Sequence, residues 1–501
     1  MSPDDLEHQL CKKFKVLKFV DLSLVVKQPT IGFTVFKEQY KEAFEPDERI
    51  VFYTGQPVGA KTLAYMQYAA DLFDISRCFI LVCCLENNNN TINKNDIEFL
   101  TIDVEAGEFN DNDMISLNSI CSLPWFHSEY MNTGEPRICC FNSDTTVDET
   151  VKEYFHSEKM VNLRAQLLAG QYPESCNVCW KIESNGSESL RQWRNKTHKE
   201  EFFTNYLDRP TLKSLAIRPS TVCNFKCRSC NAGASSQWAQ EKLKYETDPD
   251  KKQALVKIIT DGQWFNTPKY QEIIDIWPDL EFIDIYGGEP LMIKQFKQLL
   301  EVSIKSGASK KQRLHFNTNG SLFPPDLIEL MHQFQEVTIS LSIDDIKERF
   351  EIIRGGTWAE VDHNVDQFLS CDPNIFKVSG LVTVSNLNVL YLDELIFWAE
   401  HKNLPLTFNI LVTPGYLAYH HVTQPVKELI IKKYQTHPDS RLKSIVDTIK
   451  KAKPVDGIEW VNQMVKLDLR RSQNMLSTHY DLALGMGYTN ISGPVVSSLD
   501  E

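Results

Sequence analysis

Residues 219–231 read Pro-Ser-Thr-Val-Cys-Asn-Phe-Lys-Cys-Arg-Ser-Cys-Asn and place three thiols, Cys223, Cys227 and Cys230, in one short stretch. The spacing is C-x3-C-x2-C, and it follows an apolar run at 212–217 that reads as a strand. Thiolates in one loop can converge on one metal centre, and iron–sulfur clusters are held by such thiolates. Structural zinc sites close with four protein ligands, commonly as paired C-x2-C units. Three thiols leave one iron of a [4Fe–4S] cluster free to bind something else, so the odd number is the informative part.

Outward from this loop, residues 211–415 alternate between strand and helix. Strand-like runs lie at 212–217, 282–286, 314–317, 337–343, 378–384 and 406–412, with helix-like stretches between them at 253–259, 294–306, 325–334 and 390–401. Six alternations predict an α/β fold with a parallel sheet. Chemistry gathers at the strand ends. Gly287-Gly288-Glu289-Pro290 follows the second strand, and its two glycines let backbone approach a ligand without interference from a Cβ. Asn319 closes the third strand in Asn317-Thr318-Asn319-Gly320, and Ser342 closes the fourth, with Arg354-Gly355-Gly356 beyond it. An arginine fork matches a carboxylate bidentately.

The cysteine spacing with these strand-end groups resembles the radical SAM superfamily. The resemblance covers the core at about 212–412 and implies a partial (β/α)6 TIM-like barrel with its site at the strand C-termini. It implies a [4Fe–4S] cluster on Cys223, Cys227 and Cys230, with S-adenosylmethionine (SAM) on the open iron. It further implies SAM contacts from Gly287, Gly288, Glu289, Pro290, Asn319, Ser342 and Arg354. Glu289 would suit the methionyl ammonium, and Ser342 and Arg354 the ribose or carboxylate. Ser229 departs from the family, which usually has an aromatic residue before the third cysteine, and no adenine contacts are placed. Such an enzyme needs a reductant such as ferredoxin or flavodoxin.

A second set of cysteines precedes the core: Cys121, Cys139, Cys140, Cys176 and Cys179. With Arg164, Leu168, Gly170 and Pro173 it resembles the SPASM or shorter twitch element that holds auxiliary clusters, here N-terminal to the core. Residues 186–191, which join it to the core, fit that resemblance. Four thiolates would close a cluster completely, and only one of the adjacent Cys139 and Cys140 is expected to serve, Cys139 being favoured. Zinc is the alternative. SPASM and twitch relatives often modify peptides, so a peptide or protein side chain is the expected substrate. A carbohydrate or small polar metabolite is the runner-up. A non-catalytic zinc-binding interaction protein is the rival from another class.

The chain has 501 residues, 42% hydrophobic, with 13 cysteines and a net charge of −14. The expected organisation is an N-terminal α/β segment (1–117), the auxiliary segment (118–184), a linker (185–210), the core (211–415) and a C-terminal helical extension with a tail (416–501). In the first segment, 50–53 and 78–85 read as strands around a helical 60–73, a βαβ unit. Cys11, Cys78, Cys83 and Cys84 read as buried small apolar residues. The acidic balance argues against nucleic acid as partner. No run approaches the roughly 20 apolar residues of a spanning helix, and no secretory leader is apparent, so a cytoplasmic protein without a membrane partner is expected. His127, His420 and His421 are left unassigned, and Trp180 and Trp193 read as packing.

Overall fold

The computed structural model describes strands 18–21, 50–54, 79–84 and 97–102, together with residues 119–489 apart from 132–133, 143, 145–148, 185–187, 199–201, 208 and 262–267. Two compact units divide the chain, one formed by residues 1–129 and 135–214, the other by 130–134 and 215–501. The segments expected at 1–117, 118–184 and 185–210 therefore fall in one unit except for residues 130–134. The core and the C-terminal extension fall in the other except for residues 211–214.

In the first unit, β1 (Lys18–Asp21), β2 (Ile50–Thr54), β3 (Phe79–Cys84) and β4 (Ile97–Ile102) form a sheet in that order. The β2/β3 pairing is parallel, as a βαβ connection requires, and β4 returns antiparallel. The helix expected at 60–73, Cys11 and Cys78 lie outside the described residues. The short strands β5 (His127–Tyr130) and β6 (Pro136–Arg137) follow, then helices α1 (Val151–His156), α2 (Glu158–Leu168), α3 (Asn177–Ser184) and α4 (Leu190–Thr197). Their starts are written in the sequence: Thr150 and Ser189 each make a capping box, and Ser157 caps α2. Thus α4 occupies much of the stretch expected as a linker.

The second unit is the α/β fold expected. Strands β7 (Ser214–Ile217), β8 (Phe282–Ile285), β9 (Arg313–Thr318), β10 (Glu336–Ser342), β11 (Phe376–Val384) and β12 (Leu406–Ile410) lie side by side in chain order. Every pair from β8 to β12 is parallel. Helices α5 (Ser236–Tyr245), α6 (Pro249–Asp261) and α7 (Pro268–Ile276) connect the first two strands, with α8 (Lys294–Lys305), α9 (Pro325–Met331), α10 (Lys347–Arg354), α11 (Trp358–Leu369) and α12 (Leu392–Lys402) between later ones. The order is that of a partial TIM-like barrel.

Strands β9 and β10 show why the sheet has two unlike faces. In β9 the buried residues are Leu314, Phe316 and Thr318; in β10 they are Val337, Ile339 and Leu341. The alternate positions, His315 and Asn317, then Thr338, Ser340 and Ser342, are polar and half-buried. A period of two separates the apolar face from a polar face. After β12 come α13 (Gln424–Tyr434), α14 (Ser440–Lys451), α15 (Ile458–Arg471) and α16 (Tyr480–Gly485), the helical extension. Among the described residues no helix is long and apolar enough to cross a membrane.

Candidate active site

The cysteine loop leaves β7 and is pinned by hydrogen bonds along its length. Ser235 caps α5 by accepting from Trp238 N and donates to the Phe225 carbonyl at 2.6 Å. Ser236 Oγ accepts from Cys223 N at 3.2 Å, and Trp238 Nε1 donates to the Cys227 carbonyl at 2.6 Å. Cys230 N donates back to the Cys227 carbonyl at 3.0 Å, closing the turn between them. Phe225 fills the space over Gly356, where an added Cβ would stand 1.9 Å from its ring.

The glycine turn after β8 packs under this loop. Gly287 and Gly288 both have positive φ, and a Cβ on Gly288 would stand 2.3 Å from the Val222 carbonyl oxygen. Only glycine fits that approach. Glu289 N donates to the same carbonyl at 2.7 Å. The Glu289 side chain is completely buried: Oε1 accepts from Thr318 Oγ1 at 2.8 Å and Leu291 N at 3.2 Å, and Oε2 from Asn319 N at 2.7 Å. Burial pushes its pKa up to about 6 despite these donors. The carboxylate braces the cysteine loop against the end of β9. Pro290 opens the short turn Pro290–Met292 that Glu289 caps.

Asn319 carries the brace to the thiols. Its Nδ2 donates to Asn224 Oδ1 at 2.7 Å and lies 4.0 Å from Cys223 Sγ, while its Oδ1 accepts from Ser321. Ser342 ends β10, half-buried on the polar face. Arg354 ends α10 and is buried, with Nη1 2.6 Å from Asp344 Oδ2. Its Nε is buried with no hydrogen-bond partner. Burial opposes its charge, yet Cys227 and Asp344 hold its pKa above the usual guanidinium range. The same charge acts on all three thiols, which burial raises, Cys223 to about 11 and Cys230 to about 12.

Three thiols around one buried cation, a glycine cradle with no room for a Cβ, and an orphaned guanidinium nitrogen fit a three-thiolate cluster beside an anionic ligand. Residues 217–399, which hold all of these groups, match the model of the Radical SAM superfamily. No curated protein sequence matches the chain. Among solved structures it is similar to anSMEcpe with bound AdoMet, at 16% identity and a TM-score of 0.31, over 51% of this chain and 67% of that one. Streptococcus suis SuiB bound to precursor peptide SuiA is similar at 13% identity and a TM-score of 0.30, over 61% and 67%. TYW1 with a lysine-pyruvate adduct is similar at 14% identity and a TM-score of 0.26, over 45% and 72%.

On the polar face of the second unit's sheet stands a group that sequence reading did not single out. His315 Nδ1 lies 2.8 Å from Asp284 Oδ1, its Nε2 lies 3.0 Å from Ser340 Oγ, and Tyr286 Oη is 3.4 Å from Nδ1. Three adjacent strands supply this chain through their register, His315 standing opposite Asp284. No motif announces it, because the three residues are separate in sequence and share only their place on alternating strand positions.

In the first unit the front cysteines come together. Cys121 feels Cys176 and Cys179, and Cys139 feels Cys140, Cys121 and Cys176; burial is the first cause of every raised thiol, Cys121 reaching about 12. Cys140 is exposed, whereas Cys139 faces the others. Arg191 on α4 stands beside this group: Nε and Nη2 donate to Glu183 at 2.9 and 2.6 Å, and Nη1 to the Ile120 carbonyl at 2.6 Å. Arg164 is likewise buried, donating to the carbonyls of Pro124 and Phe155. Among the described residues no three His, Cys, Asp or Glu side chains are grouped as they would be round a single metal ion. His127 is spent on Ser214 Oγ at 2.7 Å. Trp180 packs under the Arg191 guanidinium, 4.8 Å from it.

Proposed function

We propose that this chain is a radical SAM enzyme whose SAM centre is the loop of Cys223, Cys227 and Cys230. The observation that supports it most is the unpartnered Nε of Arg354, a buried donor beside three thiols inside the stretch that matches the family. When bound, a [4Fe–4S] cluster and SAM supply one-electron cleavage of SAM to methionine and a 5′-deoxyadenosyl radical that removes a hydrogen atom from substrate.

The protein's own part is binding and orientation. The three thiolates hold the cluster, and the backbone at Gly287 and Gly288 admits a close ligand. Arg354 and Ser342 donate to the carboxylate or ribose of SAM. Glu289 and Asn319 fix the loop that carries Cys223. Asp284 favours the Nδ1–H tautomer of His315, which leaves Nε2 to accept from Ser340. That chain orients a polar substrate group and offers it a proton acceptor.

The substrate is a peptide or protein side chain, the class that SPASM and twitch relatives often modify. A carbohydrate or small polar metabolite is the second reading, favoured by the hydroxyl and imidazole groups of the polar face. The mutual proximity of Cys121, Cys139, Cys176 and Cys179 supports an auxiliary cluster there. A ferredoxin or flavodoxin would supply the electron.

Anaerobic purification with iron, sulfide and zinc analysis, followed by SAM and dithionite, tests the reading. 5′-Deoxyadenosine is expected; a colourless, zinc-only protein without it would sink the proposal. His315→Ala should keep SAM cleavage while losing deuterium transfer into 5′-deoxyadenosine from a labelled peptide or metabolite pool.

A further inference from the structure

Cys227, the middle thiol, lies between two cations, Lys226 and Arg228, and both are tied to α15 of the C-terminal extension. The Arg228 side chain has no exposed surface and pairs with Asp468, which is equally buried. Its Nη2 also meets Gln473 Oε1 at 2.9 Å, and its Nη1 lies 3.3 Å from the Met464 sulfur. Back toward the site, Arg228 Nε donates to the Ile352 carbonyl at 3.0 Å and its backbone N to the Ile353 carbonyl at 2.7 Å. Asp468 is saturated by Met475 N at 2.7 Å and Tyr488 Oη at 2.5 Å.

On the other side of Cys227, Lys226 Nζ pairs with Glu241 Oε2 at 2.6 Å. Glu241 in turn holds Arg471, the last residue of α15, by Nε at 3.1 Å and Nη2 at 3.0 Å. The Arg471 guanidinium lies 5.0 Å over the Trp238 ring, and Trp238 is the donor to the Cys227 carbonyl. One helix therefore fixes the backbone on both flanks of the middle ligand.

A fully buried ion pair is weak as a stability device, because apolar residues of similar volume often serve as well. What apolar residues cannot reproduce is the fork, which joins α15 to the carbonyl at the end of α10 three residues before Gly355. We infer that Arg228 and Asp468 are positioning residues of the SAM centre, and that residues 458–488 are a functional part of that centre. The inference rests on the cluster reading above.

The test is the double variant Arg228→Met with Asp468→Leu, which removes both charges together. Its melting temperature should fall, since Met475 N, Tyr488 Oη and the Ile352 carbonyl lose their buried partners. The reconstituted protein should lose iron to a chelator about 10-fold more readily, the low end for outer partners of metal ligands, and the electron paramagnetic resonance of the reduced protein should no longer respond to SAM as the wild type does. Should the double variant melt far lower, Arg228→Lys decides on the same two readouts, since it keeps the charge beside Asp468 and loses the bond to Ile352. Wild-type iron retention with a wild-type SAM response in the variant that folds would overturn the inference. A wild-type chain with no SAM-responsive signal would overturn the cluster reading instead.

Discussion

Arg354 in the second unit and Arg191 in the first occupy comparable places. Each is buried beside a set of thiols and tied to a carboxylate, Asp344 in one case and Glu183 in the other, at 2.6 Å. They differ in what is left over. Every guanidinium nitrogen of Arg191 has an acceptor within the protein, and the group it serves has four thiols. Arg354 keeps a buried Nε without one, and its group has three. A buried donor left unpaired costs on the order of 1–3 kcal/mol unless something fills it. Under the proposed function, an incomplete thiol set beside an incomplete cation is what an open centre needs, and a complete pair is what a closed one needs.

Removing Arg354 breaks the comparison most strongly. Arg354→Ala leaves Asp344 buried without its partner, which should cost about 3–5 kcal/mol in denaturant unfolding and take SAM cleavage with it. If SAM cleavage survives in the folded fraction, Arg354 is only structural. Gly288→Ala comes next. The new Cβ meets the Val222 carbonyl at 2.3 Å with φ at +56°, so about 1–3 kcal/mol should be lost together with cluster uptake at the three-thiol centre alone. Equal loss of iron from both centres would contradict the separation drawn here.

The smallest effect is the pH dependence that Glu289 contributes. Burial raises Glu289 from 4.5 to about 6, so the folded chain holds that proton more tightly than the unfolded one. Its contribution to stability should therefore fall as pH rises from about 4.5 to about 6 and be level above, by about 2 kcal/mol in all. Thermal melts across that range should show a smaller fall in Glu289→Gln than in wild type, the remainder belonging to other buried carboxyls such as Asp345, which burial raises to about 7.

The residues of the proposed open centre were legible as a group because they are either consecutive, as in 223–230, or at strand ends that alternation locates. The front group was legible as a set of cysteines with Cys139 favoured over Cys140, but how far each of two adjacent side chains is buried depends on the fold around them. Arg191 lies in the stretch 186–191 that fits the resemblance, but its contacts with Glu183 and Ile120 were not legible, because that stretch reads as a linker and only the capping box at Ser189 betrays a helix there. The protein contacts of Glu289 were not legible: a carboxylate in a turn gives no sign that Thr318 and Asn319 will enclose it. Asp284, His315 and Ser340 meet only through strand register. Arg228 and Asp468 lie 240 residues apart, and no local pattern joins them.

The most direct measurement compares two multiple variants after anaerobic reconstitution: Cys223, Cys227 and Cys230 to Ala, and Cys121, Cys139, Cys176 and Cys179 to Ala. Each is assayed for iron and for 5′-deoxyadenosine formed from SAM with dithionite. The variant lacking the front thiols should retain about four irons and still cleave SAM; the variant lacking the three-thiol loop should form no 5′-deoxyadenosine. Cleavage that persists without Cys223, Cys227 and Cys230 would contradict the account.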